Sequence, residues 1–228
     1  MRVSSGVPGF DEIVEGGLPA NRLYVVSGPP GSGKTTFSSQ FITEGARNGE
    51  NCLYVTMHES KDELVHDMSN FDFGFEKVMR SDRVQFLNLV TEAGKRTITQ
   101  FGTDGGLTNR LTAFIESNDI DRAVIDSTML LQHFFADMSE EITGFLSSLK
   151  QTDTTILLIS EMTDPTSYSD EHYLAHGVIF FHNYMEAGGM TRGVQTIKMR
   201  GTAIDCDIHK ISFSDKGLRV YPNEKVQR

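Results

Sequence analysis

The chain is predicted to be an α/β protein with a mostly parallel central sheet flanked by helices and with antiparallel strands at its C-terminal end. Up to Ser160, apolar β-branched runs alternate with helical patterns, the signature of parallel strands joined by crossover helices. From Gly177 onward the strand-like runs are shorter and are separated by Gly, Asn and Asp turns, as in antiparallel or mixed pairing. No linker, internal repeat or low-complexity tract divides the 228 residues, so residues 1–228 read as one domain.

The elements follow in order. Residues 23–27 read as the first strand, followed by a glycine-rich turn and a helix through Arg47 that Asn48-Gly49 closes. Residues 52–57 form the second strand. Residues 60–70 form a helix opened by Ser60, with Glu63 three positions on as a capping box. A third strand at 84–90, a helix at 107–117 and a short buried strand at 123–126 come next. An amphipathic helix at 139–150 leads into 155–160, the most apolar strand of the chain and therefore expected at the centre of the sheet. Strands at 178–182, 194–199 and 207–213 complete the pattern.

Composition excludes several classes. A hydrophobic share of 38% with 15 Phe can build a core, which rules out wholesale disorder. With 21 Lys+Arg against 31 Asp+Glu the net charge is −10, too acidic to coat nucleic acid by bulk charge. Cys52 and Cys206 lie far apart in apolar contexts and form neither a disulfide framework nor a metal motif; two buried, reduced thiols are expected. His133, His172, His176 and His182 match no standard zinc spacing and read as ordinary polar or core residues. The N-terminal segment lacks the apolar run of a signal peptide, and no stretch approaches the ~20 apolar residues that cross a bilayer, so a soluble cytoplasmic protein without membrane insertion is expected.

The sharpest motif is Gly28-Pro29-Pro30-Gly31-Ser32-Gly33-Lys34-Thr35, followed by Thr36, which fits GxxxxGK[ST] without a mismatch. It lies directly after an apolar strand and directly before a helix, where the backbone N–H groups of a curled loop and the helix N-terminus can hold phosphate oxygens. Lys34 would bridge the outer phosphates of ATP and the Thr35 hydroxyl would hold Mg²⁺. A magnesium site also needs a strand-terminal carboxylate, and Asp126 closes the run Ala-Val-Ile-Asp; an acid in that position also serves as a helix cap.

With these residues the chain resembles the RecA-like P-loop ATPases of the KaiC type, including the single-domain KaiC-like proteins of archaea. Gly9-Phe10-Asp11 with Gly16-Gly17-Leu18-Pro19 is similar to the family leader, and Leu149-Lys150, Glu161 and Gly177-Val178-Ile179 to its later core. Lys198-Met199-Arg200-Gly201-Thr202 is similar to the family's KLRGT segment. The resemblance implies a homo-oligomeric ring, usually a hexamer, with ATP held between neighbouring subunits. It further implies that Lys198 and Arg200 reach the γ-phosphate of the adjacent subunit's ATP, as an arginine finger does. Two solvent-facing cations on an edge strand would give the same pattern, since alternate strand residues share a face.

One departure bears on catalysis. The family usually places a glutamate after the second strand to orient or deprotonate the attacking water, often as two adjacent glutamates. Here His58 fills the first position and Glu59 the second. Losing a positioned base commonly costs ~10²- to 10⁴-fold in rate, and neighbouring residues at a strand end point to opposite faces. The expectation is an ATP-binding switch or scaffold with slow hydrolysis and an unidentified protein partner. The alternative is an active ATPase, driving a motor or remodelling complex, in which Glu59 serves as base. A recombination accessory role is disfavoured. In RecA-like recombinases DNA is bound by loops that correspond to 128–137 and 162–175 here, and no Lys or Arg lies between Lys150 and Arg192. The first of these segments, with Met129, Leu130, Leu131, Phe134 and Phe135, is apolar and reads as core or as a partner surface.

Overall fold

The computed structural model describes residues 1–101, 106–128, 138–162, 164–186 and 189–226. The apolar segment from Met129 to Phe135, with His133, lies outside the described residues. A leader comes first, in which β1 (Arg2–Val3) pairs antiparallel with β2 (Leu18–Pro19) around a 3₁₀ turn, Asp11–Val14. Asp11 organises it by accepting from Ser4 Oγ at 2.8 Å and from the Ser5 N–H at 2.9 Å.

There follow β3 (Leu23–Gly28), α1 (Lys34–Arg47), β4 (Cys52–Thr56), α2 (Lys61–Met68), α3 (Phe75–Met79), β5 (Val84–Asn88), α4 (Glu92–Thr99) and α5 (Leu107–Ser117). Then come β6 (Arg122–Asp126), α6 (Met138–Leu149), β7 (Thr155–Glu161), α7 (Asp170–Leu174), β8 (Gly177–Glu186), β9 (Gly189–Met199), β10 (His209–Ser214) and β11 (Gly217–Lys225). Strands β3 to β11 form one sheet in the order β11-β10-β9-β8-β3-β7-β6-β4-β5. The six from β8 to β5 run parallel, and β9, β10 and β11 are added antiparallel.

Side chains alternate across this sheet. Tyr24, Val26, Tyr54, Val124 and Leu157 face α1 and the leader, while Leu23, Val25, Leu53, Val55 and Ile156 face α5 and α6. Because both faces are covered, the parallel strands are apolar throughout, which is why their sequence runs are unbroken.

Several expectations are corrected. The second strand ends at Thr56, whose hydroxyl accepts the His58 N–H at 3.2 Å and turns the chain, and the third ends at Asn88, whose carboxamide oxygen accepts from Val90 at 3.0 Å. The C-terminal strands β8 and β9, expected to be short, form a long hairpin of 10 and 11 residues. Cys52 is buried, its thiol pushed up to about 12 by burial, but Cys206 is exposed: it lies in the connection after β9, clear of the core. The β1–β2 pair within the leader, α3, α4, α7 and β11 were not anticipated.

One buried cation ties three elements together. Arg122 at the start of β6 is 1% exposed and forms a two-point ion pair with Glu50, stacks over the Phe41 ring at 4.7 Å, and donates to the Ser4 carbonyl at 2.6 Å. Gly45 makes room for it, since a Cβ there would lie 2.6 Å from Arg122 Cδ. Glu50→Ala leaves this guanidinium without a counter-ion, which for a buried pair costs roughly 3 kcal/mol. The expected outcome is a urea midpoint lowered accordingly with an unchanged slope.

His176 Nδ1 accepts the Leu23 N–H at 3.1 Å, which requires a neutral ring. Burial, together with Lys150, Arg22, Arg200 and Lys198, pushes its pKa down to about 4. The unfolded chain therefore binds the extra proton first, and stability falls as pH drops from the ordinary value of about 6.5 toward 4. His176→Asn keeps an acceptor for Leu23 and removes the titration, so unfolding free energies of both proteins at pH 7 and pH 5 should show a shallower loss for the variant.

Candidate functional site

β3 ends where the chain must turn into α1 within a few residues. At Gly28 (φ +147°) a Cβ would lie 2.4 Å from the Phe181 carbonyl oxygen, and at Gly33 (φ +114°) it would lie 2.7 Å from the Phe213 ring, so neither position admits a side chain. The loop between them curls over the N-terminus of α1, whose first N–H groups have no acceptor within the helix. Ser32 Oγ is buried there without a hydrogen-bond partner.

Lys34 opens α1 and turns back under the loop. Its ammonium donates to the carbonyls of Gly28 at 2.7 Å and Pro29 at 3.1 Å and lies 3.6 Å from Glu161 Oε1. Burial draws its pKa below the ordinary lysine value, and the carboxylates of Glu161 and Asp126 oppose that shift. Asp126, at the end of β6, accepts from the Tyr54 hydroxyl at 3.4 Å. Burial raises its pKa; the charges of His58 and Lys34 and the Tyr54 hydrogen bond act to keep it ionised. Parallel register sets these groups side by side, with Gly28 opposite Glu161 on β7 and Asp126 opposite Ile159.

Together they bound a cavity of about 450 Å³, a volume typical of small-molecule sites. Pro30 to Thr36 line one side and Asp126, Ile159 and Glu161 the strand ends, while Phe71, Arg192 and Phe213 close the rim. The Arg192 guanidinium stacks over Phe213 at 5.3 Å. Loop N–H groups, an ammonium, a half-buried Thr35 hydroxyl and a strand-terminal carboxylate form a donor set that suits a triphosphate with a hard divalent cation.

The sequence-predicted residues are thus partly assembled. Gly28 to Thr36 and Asp126 come together. His58 and Glu59 do not line this cavity; they lie in an adjoining cleft of about 580 Å³ with Asp62, Glu63, His66 and Asp67. The expected alternation of these two side chains fails because the strand ends at Thr56, so both occupy the turn and face one cleft. Glu59 is half-buried, and burial and the charges of Asp126, Asp67 and Glu63 raise its carboxyl above the ordinary value. Lys198 and Arg200 do not line the cavity. Lys198 pairs with Val178, which lies beside Val25, three residues before Gly28, and Arg200 lies beyond the end of β9.

Residues that sequence reasoning left without a role here are Glu161, Phe71, Arg192 and Phe213. Only Glu161 carried a signal, an acid closing an apolar strand just as Asp126 does. Among the described residues no group of His, Cys, Asp and Glu could hold a metal ion by itself, and His172 and His182 are buried in hydrogen bonds to Ser27 and Gln195. No helix among the described residues is long and apolar enough to cross a membrane.

Comparisons with known proteins agree with this geometry. The family model for the KaiC ATPase matches residues 3–225. A protein of Thermotoga maritima described only as a UPF0273 protein is 29% identical over 98% of this chain and 97% of its own length. The circadian clock oscillator protein KaiC of Prochlorococcus marinus is 27% identical over 97% of this chain, which spans 45% of that relative's length. Among solved structures, the KaiC-like protein of the hyperthermophilic archaeon Pyrococcus horikoshii superposes with a TM-score of 0.83 at 28% identity, covering 97% of this chain and 99% of that one. A parallel core with antiparallel C-terminal strands, a phosphate loop at the end of β3 and a match along nearly the whole chain have one reading: the chain belongs to the KaiC ATPase family.

Proposed function

We propose that this protein binds Mg·ATP at the 28–36 loop and works in the cytoplasm, as one domain, as a nucleotide-dependent oligomeric switch or scaffold that turns ATP over slowly. The loop N–H groups, Lys34 and the first turn of α1 would hold the phosphates, and Thr35 with Asp126 would hold Mg²⁺, which when bound neutralises phosphate charge. The observation that carries the slow-turnover reading is His58. At the position where the family usually has its first glutamate, this chain has an exposed imidazole that acts on the charge of Asp126 and does not line the phosphate cavity.

A second reading has its own support. The half-buried Glu59 carboxyl, raised above its ordinary value and coupled to Asp126, has the character of a general base. Steady-state phosphate release separates the two. On the switch reading wild type is slow, Glu59→Gln changes the rate by less than about twofold, and His58→Glu raises it by ~10²-fold or more. Fast wild-type turnover abolished by Glu59→Gln establishes the active-ATPase reading instead.

The oligomer is proposed to be a ring, hexameric as is usual in the family, in which Lys198 and Arg200 reach the neighbour's γ-phosphate. Their position away from their own chain's cavity supports action in trans. An acidic chain without Lys or Arg from 151 to 191 makes DNA a poor ligand and leaves a protein as the partner. Particle mass by light scattering should increase with Mg·ATP, and Lys198→Ala or Arg200→Ala should abolish the increase while ATP still binds. A monomer under every condition excludes the trans role.

A further inference from the structure

The short helix α7 connects the phosphate cavity to Lys198 through two buried side chains. His172 is 2% exposed. Its Nδ1 accepts the Ser169 N–H at 3.2 Å, so its proton sits on Nε2, which donates to Ser27 Oγ at 2.7 Å. Glu171 beside it is 7% exposed and accepts from Ser160 Oγ at 2.9 Å through Oε1. Ser27 and Ser160 are the residues immediately before Gly28 and Glu161. Gly28 and Glu161 are where the Lys34 ammonium now rests, at 2.7 Å and 3.6 Å. Both pins of α7 are thus one residue away from the groups that Lys34 must exchange for phosphate oxygens when a nucleotide enters.

The other end of α7 holds cations. Lys198 Nζ donates to the carbonyls of His172 at 3.1 Å and Tyr173 at 3.0 Å, and Lys150 Nζ donates to that of Leu174 at 3.0 Å. These carbonyls close the helix and have no acceptor role within it, so the two ammonium groups are fixed by where α7 sits. Among the described residues these two carbonyls are the hydrogen-bond acceptors of Lys198 Nζ, and its part of β9 is paired to β8, whereas β10 meets β9 at Gly193 and Val194.

We propose that His172 is a positioning residue: through Ser27 it ties α7 to the phosphate loop, so that nucleotide bound in one subunit resets Lys198, held at the other end of α7, toward the next subunit's nucleotide. This rests on the trans role proposed for Lys198. Nucleotide occupancy pulls Lys34 off Gly28 and Glu161, the ends of β3 and β7 adjust, α7 follows its two pins, and the carbonyls that grip Lys198 move with it. The element is small and its links are buried and polar, which makes it respond as a unit. Site-to-site couplings of this kind typically amount to about 5- to 150-fold.

The test uses Mg·ADP, which lacks the γ-phosphate, so that any response at Lys198 cannot come from contact with that group. The rate at which a succinimidyl ester labels Lys198 is measured by mass spectrometry with and without Mg·ADP, and the affinity for Mg·ADP is measured on the same samples. In wild type the labelling rate should change by about fivefold or more. His172→Ala and Ser27→Ala should bind Mg·ADP within about twofold of wild type and lose the Lys198 response, and His172→Gln, which can still donate to Ser27, should recover it. Lys34→Ala should lose binding and response together. Wild type that binds Mg·ADP without any change at Lys198, or Ser27→Ala that keeps the full response, overturns the relay while leaving the nucleotide site intact. Absence of Mg·ADP binding by wild type overturns the nucleotide-site reading and the relay with it. Should His172→Ala not fold, the Ser27→Ala and His172→Gln pair decides alone.

Discussion

A lysine side chain that is only 7% exposed must have its ammonium matched by acceptors, and in this protein the arrangement of the sheet follows from how Lys34 is matched. Its partners come from the ends of two neighbouring strands, the carbonyls of Gly28, which ends β3, and of Pro29 just beyond it, and the carboxylate of Glu161, which ends β7. Asp126 at the end of β6 adds charge without direct contact. Only parallel strands in register can bring three chain ends to one point, and β3, β7 and β6 are adjacent and parallel with Gly28 opposite Glu161. The phosphate loop is therefore more than a local turn. It is completed by a crossover topology that closes over more than 130 residues of chain, from Gly28 to Glu161.

The electrostatics around this point are set by the charges that surround Asp126. Next to Asp126 the chain carries His58, which helps keep the Asp126 carboxyl ionised. A glutamate at 58 would push the other way, raising the Asp126 pKa just as Asp126, Asp67 and Glu63 raise that of Glu59. An ionised, partly buried Asp126 suits a cation-binding role, and an imidazole outside the phosphate cavity is a poor base for a water within it.

Legibility of this arrangement in the sequence tracks how local each interaction is. The loop from Gly28 to Thr35 is contiguous, and its glycines answer two close approaches, so eight adjacent letters suffice to find it. The Ser60–Glu63 capping box is equally local, with the Ser60 N–H donating to Glu63 at 2.7 Å. Asp126 and Glu161 are the same device, an acid ending an apolar strand, yet only the first was given a role; for Glu161 the missing information was strand order, which places β7 beside β3. Phe71, Arg192 and Phe213 were beyond reach, because each arrives at the cavity from an element whose neighbour is set by the tertiary fold. The short α7 escaped for a related reason: five residues carry no helical period, and its place is decided by Ser27 and Ser160, more than a hundred and about ten positions away respectively. The exposed Cys206 shows the converse error: burial was expected although its immediate neighbours are the charged Asp205 and Asp207, which keep this connection at the surface.

The hairpin β8–β9 sets the spacing of the basic groups it carries. One strand, β9, carries Arg192 at the rim of its own chain's cavity and Lys198 six residues further along, beside Val178. At about 3.3 Å per residue these two cations stand roughly 20 Å apart along the strand. Of the two, only Arg192 lines the cavity of its own chain. Arg200, beyond the strand end, is farther still. The strand is held by β8 along its whole length and cannot fold back to shorten this distance without breaking its ladder. The antiparallel extension of the sheet thus carries one cation, Arg192, at the rim of the phosphate-loop cavity and another, Lys198, against the carbonyls of α7.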